Sequence, residues 1–362
     1  MEIAVIGGGN GAYAAAADLA EQGHRVRLWR RDGAALAGLA ESRRLRLTDR
    51  RGTREVGIAL ASDDLGPVVA GAELVLVPLP ATAQEHIATA LAPHLVDGQV
   101  VFLPPGSFGS YAMAARVRAL GNRARIVFAE AGTLPYLARK HGPTDVAVSA
   151  RATRLPTGVF PAARGDEAFA TIAAAFPATE RLADGLDGAL MNAGPVIHPP
   201  LILMNAGPLE HFDRWDIHNE GTQPAIRAVT DALDAERIAV REALGYGPPH
   251  FPLADHYDPA GEEWMYGNAA HESLVDSGDW RESIDLRRHR YMREDVAVGL
   301  AFLVSVADWA GVPCPVARGL LALGSAVLGE DLRRSGRTLE RLGLHDLTPA
   351  ELRTLLERGL ED

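Results

Sequence analysis

Short, largely apolar runs alternate with helical periodicity through the first half of the chain. Residues 2–6, 73–77, 99–103 and 125–129 have the length of buried strands, and residues 25–29 read as a second strand after the first. Between them, residues 81–95 and 107–120 repeat apolar positions at helical spacing, and the alanine-rich run 14–20 reads as a helix ending near Gly23. Pro78, Pro80, Pro104, Pro105 and Gly106 punctuate the strand ends. This alternation predicts an α/β fold, an N-terminal Rossmann doubly wound parallel sheet that binds ligands beyond the carboxyl ends of its strands. Pro78 and Pro80 are therefore expected in the cofactor-binding loops. Strand signals fade after about Asp184, and residues 223–244, 290–310, 315–328 and 349–358 carry helical periodicity. Thr348-Pro349-Ala350-Glu351 is a capping box with proline at the first helical position, and Gly359 is placed to end that helix. The expected division is a dinucleotide-binding domain over 1–185 and a C-terminal, mostly α-helical substrate and catalytic domain over 186–362.

Composition narrows the function classes. A chain of 362 residues with 47% hydrophobic content can bury a large core. Its net charge of −11 argues against a nucleic-acid surface, which requires a basic face. No apolar run approaches the roughly 20 residues that span a bilayer, and no leader is visible, so a cytoplasmic protein is expected. The single cysteine, Cys314, has no partner for an internal disulfide and no neighbouring cluster for a metal. Oligomeric state is open, a homodimer included.

The first strand runs into Gly7-Gly8-Gly9-Asn10-Gly11-Ala12, which spaces Gly7-x-Gly9-x-x-Ala12 as in the dinucleotide fingerprint. Gly7 permits the tight turn, Gly9 admits a pyrophosphate, and Ala12 lets the helix pack on the strand. Asn10 and Gly11 open that helix, whose free N–H groups and positive dipole end suit the anion. After the second strand stand Arg30 and Arg31, where an NAD-selective site has an acidic residue; arginine there favours the 2′-phosphate of NADP over NAD. Asp32 follows closely enough to reach a ribose, and surface placement is the alternative for both arginines.

Two later segments carry candidate chemistry. His198, in an apolar stretch and followed by Pro199-Pro200, is a candidate acid/base, with Asp295 as the carboxylate that would orient it. A packed core histidine and a helix-starting aspartate are the plainer alternatives. Arg287, Arg288, Arg290 and Arg293 form a basic run that reads as a solvated face unless one member turns inward to bind a carboxylate. Tyr257, Trp264, Tyr266 and Trp280 suit core packing or an apolar pocket.

These residues resemble the octopine/nopaline (opine) dehydrogenase family, in its bacterial N-(carboxyethyl)norvaline dehydrogenase-like branch. The resemblance is carried by the glycine fingerprint, Val77-Pro78-Leu79-Pro80-Ala81, His198-Pro199 with Asn205, residues 290–299, Gly311-Val312-Pro313 and the tail over 336–344. It implies an NAD(P)-dependent oxidoreductase that reduces an imine formed from an α-keto acid and the amine of an amino acid, yielding a secondary-amine dicarboxylate. It implies a His198–Asp295 catalytic dyad and substrate-carboxylate binding by Arg290. Asn205 is then a hydrogen-bonding neighbour of His198, and Glu130 a contact for the amine substrate or a structural residue. Competing readings are an NAD(P)-dependent hydroxy-acid or polyol-phosphate dehydrogenase and a non-catalytic dinucleotide-binding sensor. The first typically uses a catalytic lysine, whereas Lys140, the one lysine here, lies outside the helical half. The second has no use for an acid/base pair. Residues 250–285 match no relative closely, so substrate identity does not transfer.

Overall fold

The computed structural model describes residues 1–268, 271 and 280–360. Contacts divide the chain into two compact units, one built from Met1–Leu79, Ala83–Ala189 and the segment from Thr354 on, the other from Pro80–Thr82 and Leu190–Arg353.

The first unit holds strands β1 (Glu2–Ile6), β2 (Arg25–Trp29), β3 (Arg44–Asp49), β4 (Gly52–Gly57), β5 (Leu60–Ser62), β6 (Leu74–Leu76), β7 (Val100–Leu103), β8 (Val127–Ala131), β9 (Tyr136–Lys140), β10 (Asp145–Arg151), β11 (Leu155–Phe160) and β12 (Thr179–Arg181). Eight of them form one sheet in the order β12-β11-β8-β7-β6-β1-β2-β5. All its pairings are parallel except β8 with β11, which is antiparallel. The apolar runs of β1, β6 and β7 occupy its middle, where both faces are covered and no polar face is needed. Helix α1 (Asn10–Glu21) is buried from Gly11 to Leu19, its alanine run keeping it slim enough to lie between layers.

A second, four-stranded sheet, β4-β3-β10-β9, was not expected from the sequence. Its strands alternate buried apolar with exposed charged residues, as in Arg44-Leu45-Arg46-Leu47, and such short amphipathic pieces give a weak signal. Polar contacts tie it to α1: Arg151, which also reaches Asp49 of its own sheet at 2.8 Å, pairs with Asp18 at 2.7 Å, and Tyr136 donates to Asp18 at 3.1 Å.

The second unit is helical: α2 (Gly194–Met204), α3 (Pro224–Ala243), α4 (Tyr291–Leu300), continuing as α5 (Ala301–Ala310), α6 (Pro315–Leu328) and the start of α7 (Pro349–Arg358), whose residues from Thr354 on belong to the first unit. α4 is wound with wide π-type turns, a form concentrated at functional sites. The predicted capping box forms at α7: Thr348 Oγ1 donates to Glu351 at 2.7 Å, and the Glu351 N–H returns to Thr348 Oγ1 at 3.3 Å. α2 and α4 approach closely because each supplies a glycine at the crossing. A Cβ on Gly299 would lie 2.2 Å from Pro195 Cγ, and one on Gly194 would lie 2.3 Å from Asp295 Oδ1. Among the described residues no helix is long and apolar enough to cross a membrane.

Candidate active site

The glycine loop joins β1 to α1. Gly7 adopts φ +141°, which side chains disfavour, and its N–H donates to the Trp29 carbonyl at 2.8 Å. A Cβ at Gly9 would meet nothing within 4 Å, so this backbone is open to an approaching ligand. Gly9 caps α1 without a side chain, leaving the first N–H groups of the helix directed outward with their partial positive charge. Gly11 lies against Leu134 and Pro78, where a Cβ would sit 2.8 Å from Leu134 Cδ1 and 3.5 Å from Pro78 Cβ. Ala12 is fully buried beneath the turn, and Asn10 fastens the loop by accepting from the Lys140 N–H at 3.0 Å.

Arg30, following β2, lays its stem over this loop: a Cβ on Gly8 would fall 2.6 Å from Arg30 Cδ. Its guanidinium lies 3.9 Å from Asp32, whose own carboxylate is tied to the Ala35 N–H. Arg31 is exposed, and Pro78 and Pro80 are partly buried.

Glu130, one of the two substrate contacts considered beside Arg290, is corrected by the structure. It is fully buried on β8 and accepts from the Phe108 N–H at 2.7 Å and the Ser110 N–H at 3.0 Å, with the Ser110 hydroxyl as a further donor. It thus holds the start of the helix Gly109–Ala119 and is a structural carboxylate.

In the helical unit, α2 and α4 bring His198 and Asp295 together, with Nδ1 2.8 Å from Oδ2. Asp295 faces His198 only because Gly194 leaves room for its other oxygen. Pro199 and Pro200 lack N–H groups, so the carbonyls of the preceding turn have no helical donors there, while the fixed proline φ stiffens the turn bearing His198. The imidazole stacks on Tyr291 with centroids 3.7 Å apart, and the His218 ring meets it edge-on at 6.0 Å. Burial drives the His198 pKa well below its ordinary value, and Arg290 adds to the effect. Burial likewise raises Asp295 to about 7 against the opposing pull of Arg290. Both shifts have one sense: the buried pair resists charge and shares a proton. With Nδ1 committed to Asp295, Nε2 is the ring atom left for proton exchange.

Asn205 is the second correction. It makes no hydrogen bond with His198. Its amide donates to the Leu201 carbonyl at 2.8 Å and the Gly221 carbonyl at 3.1 Å, and accepts from Trp215 Nε1 at 3.0 Å. It fastens the end of α2 to the following loop.

Arg290, at the head of α4, is half-exposed, with Glu294 Oε2 3.8 Å from its Nη1. Of the basic run, Arg293 instead donates to the Arg287 carbonyl at 2.6 Å and pairs with Glu330 at 2.8 Å, which leaves Arg290 as the member beside the dyad. Three neighbours escaped the sequence reading: Tyr291 under the imidazole, His218 at 3.3 Å from the Tyr291 hydroxyl, and buried Glu294. The Arg290-Tyr291 and Glu294-Asp295 adjacencies were the available signal; nothing in the sequence marked His218. Trp264 is core, donating to the Phe251 carbonyl at 3.1 Å, Tyr257 lies under Arg227, and Trp280 meets His218 edge-on at 5.3 Å. Residues 269, 270 and 272–279 of the unmatched 250–285 segment lie outside the described residues.

Comparison with known proteins gives two family matches. Residues 182–328 match the NAD/NADP octopine/nopaline dehydrogenase alpha-helical domain, and residues 2–103 match the NAD-dependent glycerol-3-phosphate dehydrogenase N-terminus. An opine dehydrogenase of Arthrobacter sp. (strain 1C) is 29% identical over 362 residues, covering 98% of each chain. Octopine dehydrogenase with NADH and agmatine superposes with a TM-score of 0.73 at 18% identity, covering 99% of this chain and 98% of that one. The same enzyme with NADH and pyruvate gives 0.71 at 18% identity and the same coverage. Yersinopine dehydrogenase bound to NADP+ gives 0.66 at 16% identity, covering 99% and 98%. With residues 182–328 matched by the family's own domain and nearly its whole length aligned to an opine dehydrogenase, the chain is similar to the octopine/nopaline dehydrogenase family of NAD(P)-dependent oxidoreductases.

Proposed function

We propose that this protein acts as an opine dehydrogenase, condensing an α-keto acid with the amine of an amino acid and reducing the resulting imine to a secondary-amine dicarboxylate. The observation that carries this reading is the His198–Asp295 contact at 2.8 Å with Arg290 at the head of the same helix. The glycine loop offers a backbone cradle open to an anion, so its residues fit a dinucleotide pyrophosphate. Bound NAD(P)H supplies the hydride for the imine carbon. His198, held neutral by burial, takes a proton from the substrate ammonium at Nε2, freeing the amine as nucleophile. As the amine nitrogen bonds the carbonyl carbon, one of its two remaining protons passes to the oxygen. His198 delivers the proton it holds to the same oxygen, so that water leaves and an iminium remains, while Asp295 fixes the tautomer and offsets the transient imidazolium charge. Arg290 holds a substrate carboxylate, which a half-exposed guanidinium can meet with two parallel hydrogen bonds.

The finer cofactor preference is NADPH. Arg30 leans over the glycine loop and would meet a 2′-phosphate, and Asp32 lies close enough to hold its guanidinium in place. A matrix of keto acids against amino acids, followed by NADPH and NADH absorbance with mass detection of the secondary amine, tests both points. Oxidation that needs keto acid alone, with no amine incorporated, would overturn the condensation in favour of a hydroxy-acid dehydrogenase.

A further inference from the structure

The dyad and Arg290 leave Glu294 unused, yet its position is unusual. Its carboxylate is buried; Oε1 accepts from the Ala81 N–H at 2.9 Å, while Oε2 has no hydrogen-bond partner and lies 3.8 Å from Arg290 Nη1. A buried oxygen left without a donor is unfavourable, the more so when it carries charge, so ionised Glu294 draws on Arg290. The charged groups facing it are Arg290 and Asp295 on its own helix and Arg337, which donates to the Ala81 carbonyl at 3.3 Å. A substrate carboxylate on Arg290 would bring a further negative charge beside the buried Glu294 and Asp295 carboxyl groups.

Resting on the assignment of Arg290 to that carboxylate, we infer that Glu294 is the positioning residue for Arg290 and yields it to the keto acid on taking up a proton. Keto-acid binding is then linked to protonation of Glu294. Burial first, and Asp295 second, raise Glu294 to about 7, against the pull of Arg290, the Ala81 N–H and Arg337, so the linkage operates around neutral pH. Above that range the ionised carboxylate competes with the substrate, and each further pH unit weakens binding by up to about tenfold.

The test measures the Kd of the keto acid that turns over fastest in the matrix above, by calorimetry with oxidised cofactor bound, from pH 6 to 8.5. It uses wild type, Glu294→Gln, Arg337→Gln and Arg290→Gln. Glu294→Gln keeps the acceptor for Ala81 and removes the titration. Wild-type Kd should rise at least five-fold more across this range than that of Glu294→Gln, whose remaining slope reports the dyad. Arg337→Gln, which removes a cation favouring ionised Glu294, should move the wild-type bend upward in pH and keeps the test open if Glu294→Gln folds poorly. Superimposable profiles for wild type and Glu294→Gln, or an unmoved bend in Arg337→Gln, would overturn the inference. An unchanged Kd in Arg290→Gln would instead overturn the assignment of Arg290 on which it rests.

Discussion

Replacing His198 with alanine removes the proton-carrying ring and leaves the glycine loop of the other unit untouched. Turnover should fall by about 10²–10⁴-fold while NADPH affinity, followed by fluorescence titration, changes little. Unchanged turnover would end the acid/base assignment. Arg30→Asp replaces the proposed 2′-phosphate partner with a 2′-hydroxyl acceptor, so the ratio of kcat/KM for NADPH over NADH should fall by at least tenfold. An unmoved ratio would mean that Arg30 does not read the phosphate. At this scale the sequence was informative about type and poor about direction. His198 and Asp295 stood out by chemistry and resemblance, and they do touch. Glu130 and Asn205 are equally polar, and their partners, Ser110, Phe108, Trp215 and Gly221, are close only through the fold. A residue name does not reveal whether its hydrogen-bonding capacity is already spent.

Elements were legible where their signal is local. The central strands β1, β6 and β7 are largely apolar runs, and α7 begins at the box that Thr348 and Glu351 specify. Thr348→Ala should cost about 1 kcal/mol in urea unfolding without altering turnover, because one cap is lost at an exposed helix start. The crossing of α2 and α4 is different, since it depends on two glycines that neither helical periodicity nor the dinucleotide motif singles out. Gly194→Ala puts a methyl group where Asp295 Oδ1 lies and must push the carboxylate from His198 or the helices apart. Turnover should drop by more than tenfold, with about 1–3 kcal/mol lost in stability. Full activity in that variant would show that the dyad tolerates a displaced carboxylate. The second sheet escaped notice because its strands are half-exposed, arginine-bearing and held by ionic contacts distant in sequence, such as Arg151 with Asp18 and Asp49.

For the molecule as a whole, the buried acids of α4 contribute to how stability varies with pH. Glu294 rises from an ordinary 4.5 to about 7 in the folded state, so the unfolded chain loses that proton first. Between about pH 4.5 and 7 the unfolded form binds fewer protons, and the contribution of Glu294 to stability falls as pH rises. Glu294→Gln should therefore gain stability relative to wild type on going from pH 5 to pH 8, on the order of 2–3 kcal/mol, read as a difference in Tm shift at the two pH values. An equal shift at both would mean that Glu294 is ionised throughout. His198 acts in the opposite direction: its lowered pKa withdraws stability as pH drops below about 6.5, where the unfolded imidazole is protonated. By itself the sequence determined the α/β-then-helical order, the glycine turn after the first strand and the chemical type of the residues proposed as the acid/base pair, because periodicity, glycine spacing and side-chain type are local properties. Tertiary structure alone decided which polar groups are already satisfied, which glycines admit a neighbouring helix, and that a carboxylate beside Arg290 is buried with one oxygen unmet. Those depend on what distant segments bring into contact, and burial then changes the protonation of groups whose sequence neighbours give no hint of it.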